Sequence, residues 1–225
     1  MKRKIMITKD GSTTIHIPEW NEQYHSTHGA IQEAEHVYLK HGLAFFYTSN
    51  NLYKTKSQVS ILEIGFGTGL NAFLTAIKAE ELKLNCNYVG VEGFPVSIEE
   101  LKALNFTKTL KRETIFNALH NCTWEQSCEI SKYFELKKEQ KQFAQITDVN
   151  KYDVVYFDAF GPRVQPELWT KKIFEIMYKA MKVNGVLVTY CAQGYARRAM
   201  ISVGFTVERV EGPPGKRHML RAVKL

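Results

Sequence analysis

The sequence predicts a doubly wound, mostly parallel α/β sheet, and three observations carry that prediction. From Val59 onward, short apolar runs alternate with helix-like segments. One run, Ile61-Leu62-Glu63-Ile64, passes into the glycine-rich turn Gly65-Phe66-Gly67-Thr68-Gly69 and then into a helical stretch. A later run ends on a carboxylate, Asp158, at the position where open α/β sheets present their ligands. The 225 residues, 44% hydrophobic and 24% charged, suit one folded domain and exclude wholesale disorder and collagen.

Taken in order, Ile5–Ile7 and Thr13–Ile17 flank Asp10-Gly11, a strong hairpin signal. Residues 32–41 then read as a helix, with Ile31, Ala34, Val37 and Tyr38 on one face, Glu33 and His36 on another, and Gly42 as its end. A loop follows at Ser49-Asn50-Asn51. Residues 1–58 are therefore expected to be an N-terminal hairpin and helix extension of the domain formed by residues 59–225. Strands are predicted over 60–64, 88–92, 134–139, 154–158 and 185–191, with helices over 71–82, 97–104, 108–119, 171–181 and 195–203. The runs 205–210 and 219–224, joined by Gly212-Pro213-Pro214-Gly215, predict a terminal antiparallel strand pair. The polar stretch 132–145 keeps Phe134, Leu136 and Phe143, and reads as a half-exposed strand followed by a loop.

Thirty Lys and Arg against 23 Asp and Glu leave a net charge of +7, which favours a polyanionic partner such as nucleic acid. Cys86, Cys122, Cys128 and Cys191 form no C-x-x-C pair, so reduced thiols are expected rather than a zinc module or a disulfide framework, and no metal is predicted. Neither a signal peptide's apolar core nor a membrane-spanning apolar run is visible, and the expected location is cytoplasmic. No heptad pattern argues for an oligomer, so a monomer is expected.

The glycine turn narrows the chemistry. A dinucleotide fingerprint needs a glycine where Leu70 stands, and a P-loop needs Gly-Lys-Ser/Thr, which is missing. The pattern Glu63-x-Gly65-x-Gly67-x-Gly69 instead resembles the first motif of the class I, Rossmann-like S-adenosylmethionine-dependent methyltransferases. That resemblance implies that Glu63, Gly65, Phe66, Gly67, Thr68, Gly69 and Asn71 form the cofactor loop against its methionine and ribose parts. It also places Glu92, with Gly93 beside it, at the end of the next strand, where a carboxylate accepts hydrogen bonds from a ribose diol. The adenine contact falls to Gln140 or Asp148.

A second set of motifs is more specific. Asp158-Ala159-Phe160-Gly161-Pro162-Arg163, the run Gly185-Val186-Leu187-Val188-Thr189-Tyr190-Cys191-Ala192, and the ending Gly212-Pro213-Pro214-Gly215-Lys216-Arg217-His218 together resemble one family. It is the methyltransferase half of the bifunctional tRNA 5-methylaminomethyl-2-thiouridine biosynthesis proteins. The resemblance runs over nearly the whole chain, from Tyr24 and residues 29–39 to the end. It implies methylation of the primary amine of 5-aminomethyl-(2-thio)uridine at wobble position 34 of a tRNA, with S-adenosylmethionine as methyl donor. In the bifunctional proteins a flavin-dependent oxidase half follows, whereas this chain stops at Leu225, so a stand-alone methyltransferase without flavin is expected.

An alkylamine, with a reference pKa of ~10.4, is mostly protonated near neutrality, so something must favour loss of its proton. Asp158 is the candidate catalytic group, either taking or orienting the amine proton or binding the cofactor's own amino group. Glu33 follows from the family pattern, with His36 one turn away, and Tyr24 is placed to close over the pocket. Phe160, with Pro162 fixing its loop, and Tyr190 suit stacking on an unpaired base. Arg163, Arg197, Arg198, Lys216 and Arg217 flank the strand ends as phosphate contacts for an anticodon stem-loop. Two other readings stand beside this one: a polyamine methyl- or aminopropyltransferase, disfavoured by the positive charge, and a non-catalytic cofactor-binding module.

Overall fold

The computed structural model describes residues 2–55 and 58–225. Around Asp10-Gly11 the chain forms the expected hairpin, β1 (Lys4–Ile7) against β2 (Thr13–Ile17), and β3 (Glu22–Gln23) adds a short third strand. The turn is tied by Asp10, whose Oδ1 accepts from the Thr8 and Ser12 hydroxyls and the Ser12 N–H.

The helix after it departs from the sequence reading. It opens as α1 (Ala30–Ala34), continues as a π-helix over Glu35–Ala44, and passes into α2 (Phe45–Ser49). Gly42 does not end it. A Cβ at Gly42 would stand 3.0 Å from both Tyr156 and Val188, so this glycine is where the helix lies against the sheet. Its role is close approach, a use of glycine that looks the same in sequence as a helix stop. A further turn, α3 (Leu52–Thr55), follows where a loop was expected.

The alternating segments fold as β4 (Val59–Ile64), α4 (Leu70–Leu82), β5 (Cys86–Glu92), α5 (Ile98–Lys102), α6 (Phe106–Leu110), α7 (Glu113–Asn121), β6 (Ser127–Ser131), β7 (Phe134–Gln140), β8 (Tyr152–Phe157), α8 (Lys171–Ala180), β9 (Met181–Thr189), α9 (Gly194–Ser202), β10 (Phe205–Glu211) and β11 (His218–Lys224). The sheet order is β10-β11-β9-β8-β4-β5-β7-β6. Its five central strands are parallel; on one side β11 pairs antiparallel with β9 and β10 antiparallel with β11, and on the other β6 pairs antiparallel with β7. The expected single helix over 108–119 is two, because Lys111 takes a left-handed conformation between α6 and α7.

Two apolar layers cover the sheet. On one face Tyr38, Leu43, Phe73, Phe116, Tyr88 and Tyr156 pack the N-terminal helix, α4 and α7 against it. On the other, Trp169, Phe174, Met177 and Met200 bring in α8 and α9. The N-terminal segment thus shares a core with the sheet. Cys122 and Cys128 correct the expectation of four reduced thiols, since they are bonded to each other across the turn from α7 to β6, while Cys86 and Cys191 are free and buried. No helix among the described residues is long and apolar enough to cross a membrane.

Candidate functional site

The chain runs outward from β4 to β5 and β7, then returns to lay β8 on the other side of β4, which makes a topological switch point between β4 and β8. The backbone there is drawn tight. Gly65 and Phe66 both donate to the Val91 carbonyl, and the Asp158 N–H donates to the Ile64 carbonyl at 2.9 Å. Gly65 has φ +89°, and a Cβ on it would fall 2.7 Å from the Asp158 carbonyl oxygen. Only glycine fits, and its absence of side chain leaves the strand ends open to a ligand.

Above these strand ends is a cavity of about 750 Å³. Gly65, Phe66, Gly67, Thr68, Asn71, Glu92, Gly93, Asp158, Phe160, Glu33, Tyr190 and Lys216 all line it, so sequence motifs up to 183 residues apart meet at one place. The Glu92 carboxylate accepts from the Gly67 N–H and the Phe94 N–H, each at 2.9 Å, which fixes the glycine turn to the end of β5. Asn71 Nδ2 donates to Asp158 Oδ2 at 2.8 Å and to Glu63 Oε1 at 2.9 Å, and Asn71 Oδ1 is buried without a partner. Glu63, 1% exposed, stands beneath the cavity rather than on its wall. Burial, and then the neighbouring Asp158 charge, push its carboxyl well above the usual range and favour its neutral form.

Asp158 is half-buried, and burial pushes its carboxyl up to about 7. The Glu33 carboxylate pushes the same way, while hydrogen bonds from Tyr38 and Asn71 and the Lys216 charge oppose the rise. Glu33 accepts from Lys216 Nζ at 2.7 Å and from the Ser26 N–H at 2.8 Å. Lys216 in turn stands 4.1 Å from the centroid of the Tyr190 ring, whose hydroxyl donates to the Ala159 carbonyl. The cavity wall carries five carboxylates, from Glu22, Glu33, Glu92, Asp158 and Glu167, against the cations Arg3 and Lys216. In a chain of net charge +7 this is a local inversion of sign, and it favours a cationic ligand.

Other residues singled out in the sequence lie elsewhere. Gly69 stands at the start of α4, off the cavity wall. Pro162, Arg163 and Arg217 line a shallower groove that adjoins the cavity through Tyr190, Lys216, Glu22 and Gly161. Arg197 and Arg198 on α9 line neither. Gln140 and Asp148 are also away from the cavity: the exposed Gln140 donates its N–H to Glu125, and Asp148 accepts from Lys151 and the Tyr152 hydroxyl. The loop after β7 presents Gln142 and Phe143 instead, because β7 extends to Gln140 and the wall begins beyond its end. His36 bonds the Glu211 carbonyl and stays outside.

Sequence reasoning missed most of the roof. Residues 22–28 and Trp20 close the cavity from above, with Tyr24 and Trp20 each edge-on to Phe160 at 5.0 and 5.4 Å. His25 bridges the Thr14 and Thr68 hydroxyls, and burial lowers its pKa to about 4, so the bridge is neutral. The only advance signal was the density of aromatic and histidine residues in a stretch with no periodicity. Among the described residues no cluster of His, Cys, Asp and Glu could hold a metal.

A family profile described as S-adenosyl-L-methionine-dependent methyltransferase matches residues 109–225, just over half of the chain. The tRNA 5-methylaminomethyl-2-thiouridine biosynthesis bifunctional protein MnmC of Burkholderia thailandensis is 28% identical over 96% of this chain, and that of Leptospira interrogans 27% over 96%. The chain spans about a third (34%) of the length of each. The crystal structure of MnmC2 from Aquifex aeolicus superposes with a TM-score of 0.80 at 26% identity, covering 99% of this chain and 70% of that one. Spermidine synthase from Thermotoga maritima superposes at 0.54 with 12% identity over 100% of this chain and 72% of its own, a likeness of fold alone.

Proposed function

Because the chain belongs to the S-adenosyl-L-methionine-dependent methyltransferases, we propose that it methylates the primary amine of 5-aminomethyl-(2-thio)uridine at the wobble position of a tRNA, giving the methylaminomethyl base. The observation that carries this reading is the Asp158 carboxyl, raised to about 7 on the wall of an acidic cavity. A group with that pKa accepts a proton from an amine far better than an ordinary surface aspartate near neutral pH.

The residues present fit S-adenosyl-L-methionine. Glu92 keeps lone pairs free beyond its two backbone donors and can accept from a ribose diol, and the buried acceptor Asn71 Oδ1 lacks a donor. Gly65, Gly67, Glu92, Gly93 and Asn71 would hold the cofactor, with Gln142 and Phe143 at its far end. When bound, it supplies a sulfonium methyl open to in-line displacement. The chain's own part is placement and proton handling. Asp158 accepts the hydrogen bond and then the proton of the incoming ammonium group, leaving a lone pair aimed into the cavity. Phe160, Trp20 and Tyr24 form an aromatic wall suited to an unstacked uracil, and their packing keeps water from the reacting amine. Arg163, Lys216 and Arg217 edge the adjoining groove and suit the phosphates flanking the flipped base.

The reading and its polyamine rival separate in one assay. Label from methyl-labelled S-adenosyl-L-methionine should enter tRNA that carries the aminomethyl base and not putrescine or spermidine. With tRNA as acceptor, the KM should rise steeply between 50 and 200 mM salt, as phosphate contacts demand. Label in the polyamine, or a KM for tRNA indifferent to salt, would sink this assignment.

A further inference from the structure

The N-terminal helix reaches Asp158 from outside the cavity. Tyr38 lies in the π-helical stretch Glu35–Ala44, is 2% exposed, and does not line the cavity. Its hydroxyl nevertheless donates to Asp158 Oδ1 at 2.5 Å, and its ring packs on Tyr156 at 5.2 Å between centroids. That reach depends on the close approach at Gly42, where any side chain would press on Tyr156 and Val188. The other Asp158 oxygen is held by Asn71 Nδ2, itself anchored on Glu63, so the carboxylate is clamped from two elements at once. π-Helical turns cost helix geometry and recur at functional sites, and here the wider turn brings a phenol onto the reacting group.

We propose that Tyr38 is a positioning residue for the methyl transfer: through its hydrogen bond to Asp158 Oδ1 it aims the carboxylate and favours its ionised form. This rests on the reading that Asp158 takes the amine proton. The groups facing Asp158 are Tyr38 and Glu33 from the N-terminal helix, Asn71 from α4 with Glu63 behind it on β4, Tyr190 after β9, and Lys216 from the turn between β10 and β11. Glu33 and burial work against ionisation; Lys216, Asn71 and Tyr38 work for it. Burial also holds the Tyr38 phenol well above its ordinary pKa, so it remains a donor across the range in which Asp158 titrates.

Tyr38→Phe removes the donor and keeps the ring. With aspartate carboxyl carbons labelled, the Asp158 resonance is identified by its absence in Asp158→Asn and titrated by NMR. In Tyr38→Phe its midpoint should rise by about one pH unit, a tenfold change in proton affinity. The acid limb of the kcat/KM profile should move by the same amount, with the rate recovering at high pH and cofactor affinity unchanged. An unmoved midpoint overturns the proposal, as does a rate lowered equally at every pH. Absence of methylation by the wild-type enzyme would overturn the functional reading instead, and the two are separable because the titration needs no turnover.

Discussion

Asp158→Asn should lower turnover by about 10²- to 10⁴-fold while leaving the protein folded, the range expected for loss of a positioned proton acceptor. The asparagine keeps the shape and the acceptor for Tyr38 but cannot take a proton. The same substitution should have an opposite effect on stability. Asp158 has its folded pKa raised from 3.8 to about 7, so the native state holds a proton that the unfolded chain releases earlier. Stability from this group is full below pH ~4 and is lost as pH rises toward about 7. The variant escapes that loss, and its stability relative to wild type should grow over the same interval, by up to about 4 kcal/mol. Urea unfolding at pH 5 and pH 8, set beside single-turnover rates, measures both. A variant that is inactive and also destabilised at every pH would mean that Asp158 is structural.

Glu92→Ala should weaken cofactor binding by about 100-fold, near 3 kcal/mol, because it removes a charged acceptor from the cavity wall. It also strands the Gly67 and Phe94 N–H groups that hold the glycine turn to β5. Glu92→Gln keeps one acceptor oxygen and should fall between the two. Calorimetry with S-adenosylhomocysteine reads the affinity without turnover. Unchanged affinity in Glu92→Ala would remove this carboxylate from the cofactor site.

The parallel core of the fold was legible because buried strands advertise themselves: the runs predicted at 60–64, 88–92 and 154–158 are mostly apolar, and each is bounded by turn residues. The glycine turn was legible because the positive φ of Gly65, Gly67 and Gly69 favours glycine, and the two acidic strand ends because a carboxylate closing an apolar run stands out in sequence. What stayed hidden depended on long-range contact. Strand β6, Ser-Cys-Glu-Ile-Ser, has too little apolar content to stand out, and pairs because β7 offers it an edge. Gly42 carries no mark distinguishing close approach from termination. The Cys122–Cys128 bond follows from the turn between α7 and β6, which brings their Cα atoms to 5.9 Å. Gln140 and Asp148, the two residues expected at the adenine, stand off the cavity wall, which begins at Gln142 beyond the end of β7, and element boundaries are the weakest part of a sequence reading. Tyr38 was placed only on one face of its helix with Ile31, Ala34 and Val37, and nothing in the sequence shows a hydroxyl meeting a carboxylate 120 residues away.

The identity of the acceptor atom defines the reaction. The protein should be incubated with S-adenosyl-L-methionine and tRNA carrying 5-aminomethyluridine at the wobble position, and the tRNA digested to nucleosides for mass spectrometry. This nucleoside should gain the mass of one methyl group, with fragmentation placing it on the side-chain amine. A methyl group on the ring, the ribose or another nucleoside, or no gain with cofactor demonstrably bound, would contradict it.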